Sequence, residues 1–248
     1  MPAATIDEVI RQLESIVEDA SALGDPLGIF AVVYLGVTRD VKSGIDSGKF
    51  EDGARMARLD VIFANRYLDA LALYRNSEPC TRSWEIAFEA AQNQDFLILQ
   101  HLLLGMNAHI NLDLGIAAAE SVEPNRISEL ERDFMSINRV LSEKIDEVQD
   151  RLSRVSPLLF LLDWAGQRKD EQFAEFSLIQ ARNQAWQSAL NLAKGDAGQQ
   201  ASAIQDLDAL VAALGRLISH PGKWIGWLLK LIRLFEKKDV RQVMALLR

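Results

Sequence analysis

The sequence predicts an all-α protein, a single compact multi-helix domain of about nine or ten helices spanning residues 1–248. Apolar residues recur at three- and four-residue spacing nearly throughout. No two alternating β-branched runs are joined by a hairpin signal. Short separators rich in Gly, Pro and Asn punctuate the apolar stretches. With 248 residues, 49% of them hydrophobic, the chain can bury a substantial core.

The first helix is expected at 5–22, where Thr5 supplies an N-cap and Asp7 and Glu8 sit in the opening turn, favourably placed against the helix dipole. Further helices are expected at 27–46, 53–74, 82–93, 95–119, 126–151, 155–165, 169–193, 198–219 and 223–245. The separators include Gly24-Asp25-Pro26, Ser47-Gly48, Glu123-Pro124-Asn125 and His220-Pro221-Gly222. Between 128 and 154, Leu130, Phe134, Ile137, Leu141, Ile145, Val148 and Leu152 form one apolar stripe, read as packing on the body of the same protein rather than as a coiled coil. In the last helix, a C-terminal docking helix, Trp224, Trp227, Leu228, Leu231 and Leu234 are expected to face the protein, with Lys230, Arg233, Lys237 and Lys238 solvated. The same mixture of aromatics and cations would also suit a membrane interface.

A formal charge of -8 and a pI near 5.0 argue against general affinity for nucleic acid or an anionic bilayer, although a local basic patch can override the average. The single Cys80 allows no internal disulfide, which fits a cytoplasmic setting. The opening MPAATIDEVIRQLESIVEDA is acidic and amphipathic, unlike a secretory leader. The apolar runs at 157–166 and 224–235 are too short or too interrupted to span a bilayer, so a soluble protein without integral membrane association is expected. Oligomeric state stays open between monomer and homodimer, the latter through the 128–154 helix or the C-terminal tail.

The stretch His101–Gly115, HLLLGMNAHINLDLG, is the most informative. It holds two of the three histidines, two asparagines and an aspartate in otherwise apolar text. On one helix His101, Gly105, His109, Leu112 and Asp113 share a broad face. His109 and Asp113, four apart, can share a hydrogen bond or ligate a metal such as zinc, iron or manganese, with a third ligand from another helix. His101 lies about 12 Å along the axis from His109, a strained reach for one ion. It is a candidate general base. Asn107 and Asn111 imply interhelical amide bonds, a local helix distortion or contact with a ligand, because asparagine competes with helix hydrogen bonding.

Other residues widen the picture. Arg66 can pair with Asp69, cross to Asp113, or hold an anionic ligand through its guanidinium fork. Trp84 and Phe88 share a face and can line a pocket, and Arg182, Asn183 and Trp186 combine a cation, an amide and an aromatic wall. The stretches DPLGIFAVVYLGVTRDV (26 is its proline), LDVIFANRYLDAL, WEIAF, HLLLGMNAHINLDL and RNQAW resemble an all-helical bacterial domain family of unknown function, also found in some fungi, with NAHINLDL the most specific part. The resemblance implies that Arg66, His101, Asn107, His109, Asn111 and Asp113 define a common pocket, and it supplies no reaction. The leading expectation is an enzyme acting on a small polar or amphipathic molecule. His101, His109 and Asp113 would carry acid/base or metal chemistry, and Arg66, Asn107, Asn111, Trp84 and Arg182 would hold the ligand. The alternative is a non-catalytic helical scaffold or ligand-binding protein in which these polar groups fix helix packing.

Overall fold

A computed structural model of the chain describes residues 1–162 and 178–248 and is helical throughout. Its α-helices are α1 (Ile6–Leu23), α2 (Gly28–Asp46), α3 (Gly53–Arg75), α4 (Arg82–Ala91), α5 (Ile98–Met106), α6 (Leu114–Ser121), α7 (Ile127–Val155), α8 (Leu178–Leu192), α9 (Ala197–Ser219), α10 (Lys223–Phe235) and α11 (Val240–Leu247). A π-helical segment, Asn107–Asp113, joins α5 to α6, and a 3-10 turn at Pro124–Arg126 precedes α7. The count exceeds nine or ten because of divisions that periodicity does not reveal. The stretch expected as one helix at 95–119 holds a π insert, and the C-terminal helix expected at 223–245 is broken between Phe235 and Val240. Residues 163–165 and 169–177 of the helices expected at 155–165 and 169–193, Asp163 and Trp164 among them, lie outside the described residues.

Local chemistry explains many of the ends. Thr5 caps α1 by accepting the Glu8 N–H at 3.2 Å, and Gly24 closes it with φ of 70°, a conformation that suits a residue without Cβ. Asp196 and Gln199 form a reciprocal capping box on α9. Other starts are capped from across the fold. Asp133 of α7 accepts the N–H groups of Glu51 and Asp52 and the Arg55 guanidinium at the head of α3. Asp208 of α9 accepts the Arg82 and Ser83 N–H groups at the head of α4. Glu236 accepts the Ile98 N–H at the head of α5, together with the Ser156 hydroxyl and Arg233. Each buried carboxylate thus serves as a helix cap and as a tie between distant segments.

The main core joins α1, α2, α3, α4 and α5 through residues such as Leu13, Leu35, Leu71, Trp84 and Leu104. A second cluster gathers Met56, Leu114, Leu130, Phe134 and Trp186. In α7, Leu130, Phe134, Ile137 and Leu152 are buried, so the described part of its stripe packs inward. The continuous helical segment 98–121 is long and apolar enough to cross a membrane by length and composition, yet most of it is buried in the protein and it acts as the core helix.

Gly115 sets how closely α6 approaches α8. A Cβ there would lie 2.8 Å from the backbone oxygen of Ala185 and 3.0 Å from Ser188 Cβ. Neither neighbour is the tip of a flexible side chain, so the helices would have to separate. Gly115→Ala is expected to lower unfolding free energy by about 1–3 kcal/mol, measured by chemical denaturation. An unchanged midpoint would show that this contact relaxes freely.

A buried aspartate and histidine beside an apolar cavity

The π segment is where the sequence and helix geometry part company. Its wider turn is seen in the Leu114 N–H donating to the His109 carbonyl, five residues back. Asn107 Nδ2 donates to the Val211 carbonyl of α9 at 2.9 Å, and Asn111 Nδ2 donates to Asn107 Oδ1 at 2.9 Å. The two asparagines therefore make an interhelical amide bond within a distorted helix, two of the three uses their spacing allows.

Asp113, 1% exposed, is the hub on the other side of the segment. Arg66 Nε donates to its Oδ1 at 2.9 Å, and Trp84 Nε1 donates to Oδ2 at 2.7 Å. His109 Nδ1 lies 3.5 Å from the same Oδ2, a long contact that favours the tautomer with its proton on Nδ1. Arg66 thus crosses to Asp113 instead of pairing with Asp69, and its Nη1 lies 4.0 Å from Glu120. Trp84, expected to line a pocket, is instead buried in the core, where it stacks on Phe88 at 5.0 Å and spends its N–H on the carboxylate, and it is not part of the cavity wall.

Aromatic rings enclose His109. Phe63 stacks on the imidazole at 3.6 Å and 9°, and Tyr34 meets it edge-on at 4.5 Å. Phe30, Trp84 and Tyr67 complete the enclosure. Burial lowers the imidazole pKa against the opposing pull of Asp113, so the ring is neutral near pH 7. His109 also lines a cavity of about 280 Å³ bounded by α2, α3, α5, the π segment, α6, α7 and α8. Its walls are largely apolar side chains, among them Val37, Leu59, Phe63, Leu103 and Ile110, with Asp60, Lys144, Gln149 and Arg182 as polar exceptions. Burial raises the Asp60 carboxyl to about 7. Two lining residues carry a buried polar atom without a hydrogen-bond partner among the described residues: Asp60 Oδ2 and His109 Nε2.

The remaining candidates disperse. His101 is buried, but it lines a separate cleft with Lys230, Arg233 and Lys238, and burial lowers its pKa to about 4. Arg182 reaches the cavity wall with its guanidinium 4.6 Å above the Phe134 ring and an Nη2 bond to the Phe134 carbonyl, and burial lowers its pKa to about 10. Asn183 is exposed while Trp186 is buried against Phe134, so the Arg182-Asn183-Trp186 trio does not share one wall. Among the described residues no three His, Cys, Asp or Glu side chains form a metal-ligating group. His109 and Asp113 supply two, and the aspartate is already engaged by Arg66 and Trp84. Asp60, Tyr34 and Phe63 were not among the site residues that the sequence pointed to. The signal for Tyr34 was its i, i+4 pairing with Phe30 in an apolar helix.

These features define a helical protein with a buried Asp-His pair, held by the half-buried Arg66, at a π-helical break. The chain belongs to a family of unknown function, DUF5995, whose model matches residues 6–221. No curated protein matches the chain, and no solved structure does.

Removing the hub would strand the half-buried Arg66 guanidinium and the buried Trp84 indole N–H. Asp113→Ala is expected to cost about 3–5 kcal/mol in denaturant titration. A loss below 1 kcal/mol would mean that Arg66 and Trp84 readily find water or other partners.

Asp60 leaves a pH signature. The folded protein keeps its proton up to about pH 7, whereas the unfolded chain releases it near pH 4. Its contribution to stability is therefore present below about pH 4 and lost as pH rises through about 7. His101 and His109, with depressed values, act oppositely, contributing stability above about 6.5 that is lost as pH falls. The stability of the wild type minus that of Asp60→Asn isolates the first effect. This difference should decline by a few kcal/mol, in order of magnitude, between pH 4 and 7. A flat difference curve would place Asp60 in a solvated setting.

Proposed function

We propose that the cavity beside His109 binds a small, largely apolar molecule bearing one hydrogen-bonding group, and that His109 and Asp60 exchange protons with that group. The observation that carries this reading is the pair of buried polar atoms, Asp60 Oδ2 and His109 Nε2, that have no hydrogen-bond partner among the described residues and line one largely apolar space. Unsatisfied buried polar groups are costly, and a ligand hydroxyl, carbonyl or carboxyl would offset that cost. The chemistry supports the same reading. Asp113 favours the tautomer that leaves the lone pair on Nε2, so a neutral His109 is suited to accept a proton. Asp60, poised at about 7, is suited to give one. Arg66 and Trp84 act through Asp113, holding the carboxylate that orients the imidazole.

A packing role is favoured for Asn107 and Asn111 by their bonds to Val211 and to each other. These amides tie the π segment to α9, and the proposed ligand needs no contact with them.

The test uses N-phenyl-1-naphthylamine, a neutral apolar fluorophore, and competition by medium-chain alcohols and acids. Val37→Trp, which fills the cavity from α2, should weaken fluorophore binding at least tenfold, or about 1.4 kcal/mol, while the protein keeps its helical circular dichroism. Calorimetry of a competing acid in buffers of different ionisation enthalpy should show linked proton exchange near pH 7 that His109→Gln reduces. Unchanged fluorophore binding by folded Val37→Trp would refute the cavity as the binding site. Binding without any proton linkage would leave a ligand carrier and remove the acid/base role.

A further inference from the structure

The C-terminal helix α10 is rotated by roughly a third of a turn from the face its sequence suggests. Ile225, Leu228, Leu229 and Ile232 are buried against Leu97 and the 158–162 segment. Trp224, Trp227, Leu234 and Phe235 are 55%, 59%, 69% and 60% exposed, so the expected docking residues Trp224, Trp227 and Leu234 look outward and Leu228 alone of the buried set was among them. At 100° per residue the exposed group forms a second apolar stripe along the helix, roughly a third of a turn from the buried one, while the half-buried Leu231 packs against the Leu97 cluster. The two indoles stack on each other at 5.9 Å in the open. An outward apolar stripe of this size on a short helix calls for a partner.

Charge identifies the partner. From Lys223 to Arg241 there are six Lys and Arg against two acids, in a chain whose formal charge is -8. The two acids are used internally: Glu236 is buried with Arg233, Ser156 and the Ile98 N–H, and Asp239 caps α11. Arg233 and Arg241 are tied to backbone carbonyls, Arg233 to that of Gln94 and Arg241 to those of Ser21 and Ala22. Lys223, Lys230, Lys237 and Lys238 are exposed, and none makes an ion pair among the described residues. By helical position Lys223 and Lys230 flank the tryptophan stripe, and Lys237 and Lys238 follow its end. Exposed indoles, aliphatic and aromatic side chains bordered by lysines match the depth profile of an anionic bilayer surface, with rings at the headgroup level and ammonium groups at the phosphates. A second copy presenting the same lysines would be repelled.

We propose that α10 docks the protein peripherally on membranes rich in anionic lipid, with Trp224, Trp227, Leu234 and Phe235 entering the interface and Lys223, Lys230, Lys237 and Lys238 binding its charge. This surface begins beyond residue 221, where the family match ends, and it is independent of the cavity beside His109. It is the local basic patch that overrides an acidic average.

The test is sedimentation of the full chain with phosphatidylcholine vesicles containing about one third phosphatidylserine, beside vesicles of phosphatidylcholine alone. Binding to the anionic vesicles should fall at least tenfold in W224S/W227S and in K230E/K238E, and should weaken as salt is raised. Brominated lipid should quench part of the wild-type tryptophan fluorescence, an arm that needs no variant to fold. Absence of both sedimentation and quenching with anionic vesicles would overturn the proposal. So would a wild-type dimer that becomes monomeric in W224S/W227S without vesicle binding, since the stripe would then be covered by a second copy. Equal binding to neutral and anionic vesicles would overturn the role given to the lysines.

Discussion

Asp113 is a carboxylate taken out of water at the centre of a helical protein, tolerable there because donors from three elements face it. Arg66 comes from α3, Trp84 from the head of α4, and His109 from the π segment that carries the aspartate itself. A lone buried carboxylate would be neutralised or expelled. With a guanidinium and an indole N–H in place it becomes a junction whose geometry limits where α3 and α4 can lie relative to the core helix. The rings around His109 pack in the space this junction leaves, and the cavity adjoins the same ring.

The same solution recurs at the edges of the fold. Asp133, Asp208 and Glu236 reach from α7, α9 and the end of α10 to the N-termini of α3, α4 and α5. Helix starts present free N–H groups and partial positive charge, so a carboxylate from elsewhere satisfies hydrogen bonds and relieves its own burial at once. Short helices such as α4 are thereby held by tertiary bonds as well as by their own propensity.

The proposed function rests on where this economy is incomplete. Asp113, Asn107 and Asn111 have protein partners, whereas Asp60 and His109 each keep a buried atom without one among the described residues, beside an apolar space. The contrast separates groups that hold the fold from groups that suit a ligand. At the far end, α10 satisfies its inner face and leaves an outer one bare, an imbalance of the same kind expressed at the surface.

By itself the sequence determined the all-helical class, the cap at Thr5, the polar character of the core segment and the local pair His109 and Asp113. These depend on residues at most a few positions apart, where helical spacing brings side chains together regardless of what surrounds them. Tertiary structure decided the rest. Asn107 and Asn111 are poor helix formers, but the π turn between them depends also on the Val211 carbonyl of α9, 104 residues from Asn107. Arg66 had partners available at Asp69 and Asp113, and burial of Asp113 selected the distant one. His101 shares a helical face with His109 on paper, yet the wider π turn and the arrival of α10 place it in another cleft. The two stripes of α10 are both apolar, so its orientation followed from which one met Leu97 and the 158–162 segment, a choice that periodicity cannot make because it records spacing along a helix and not the surface the helix meets.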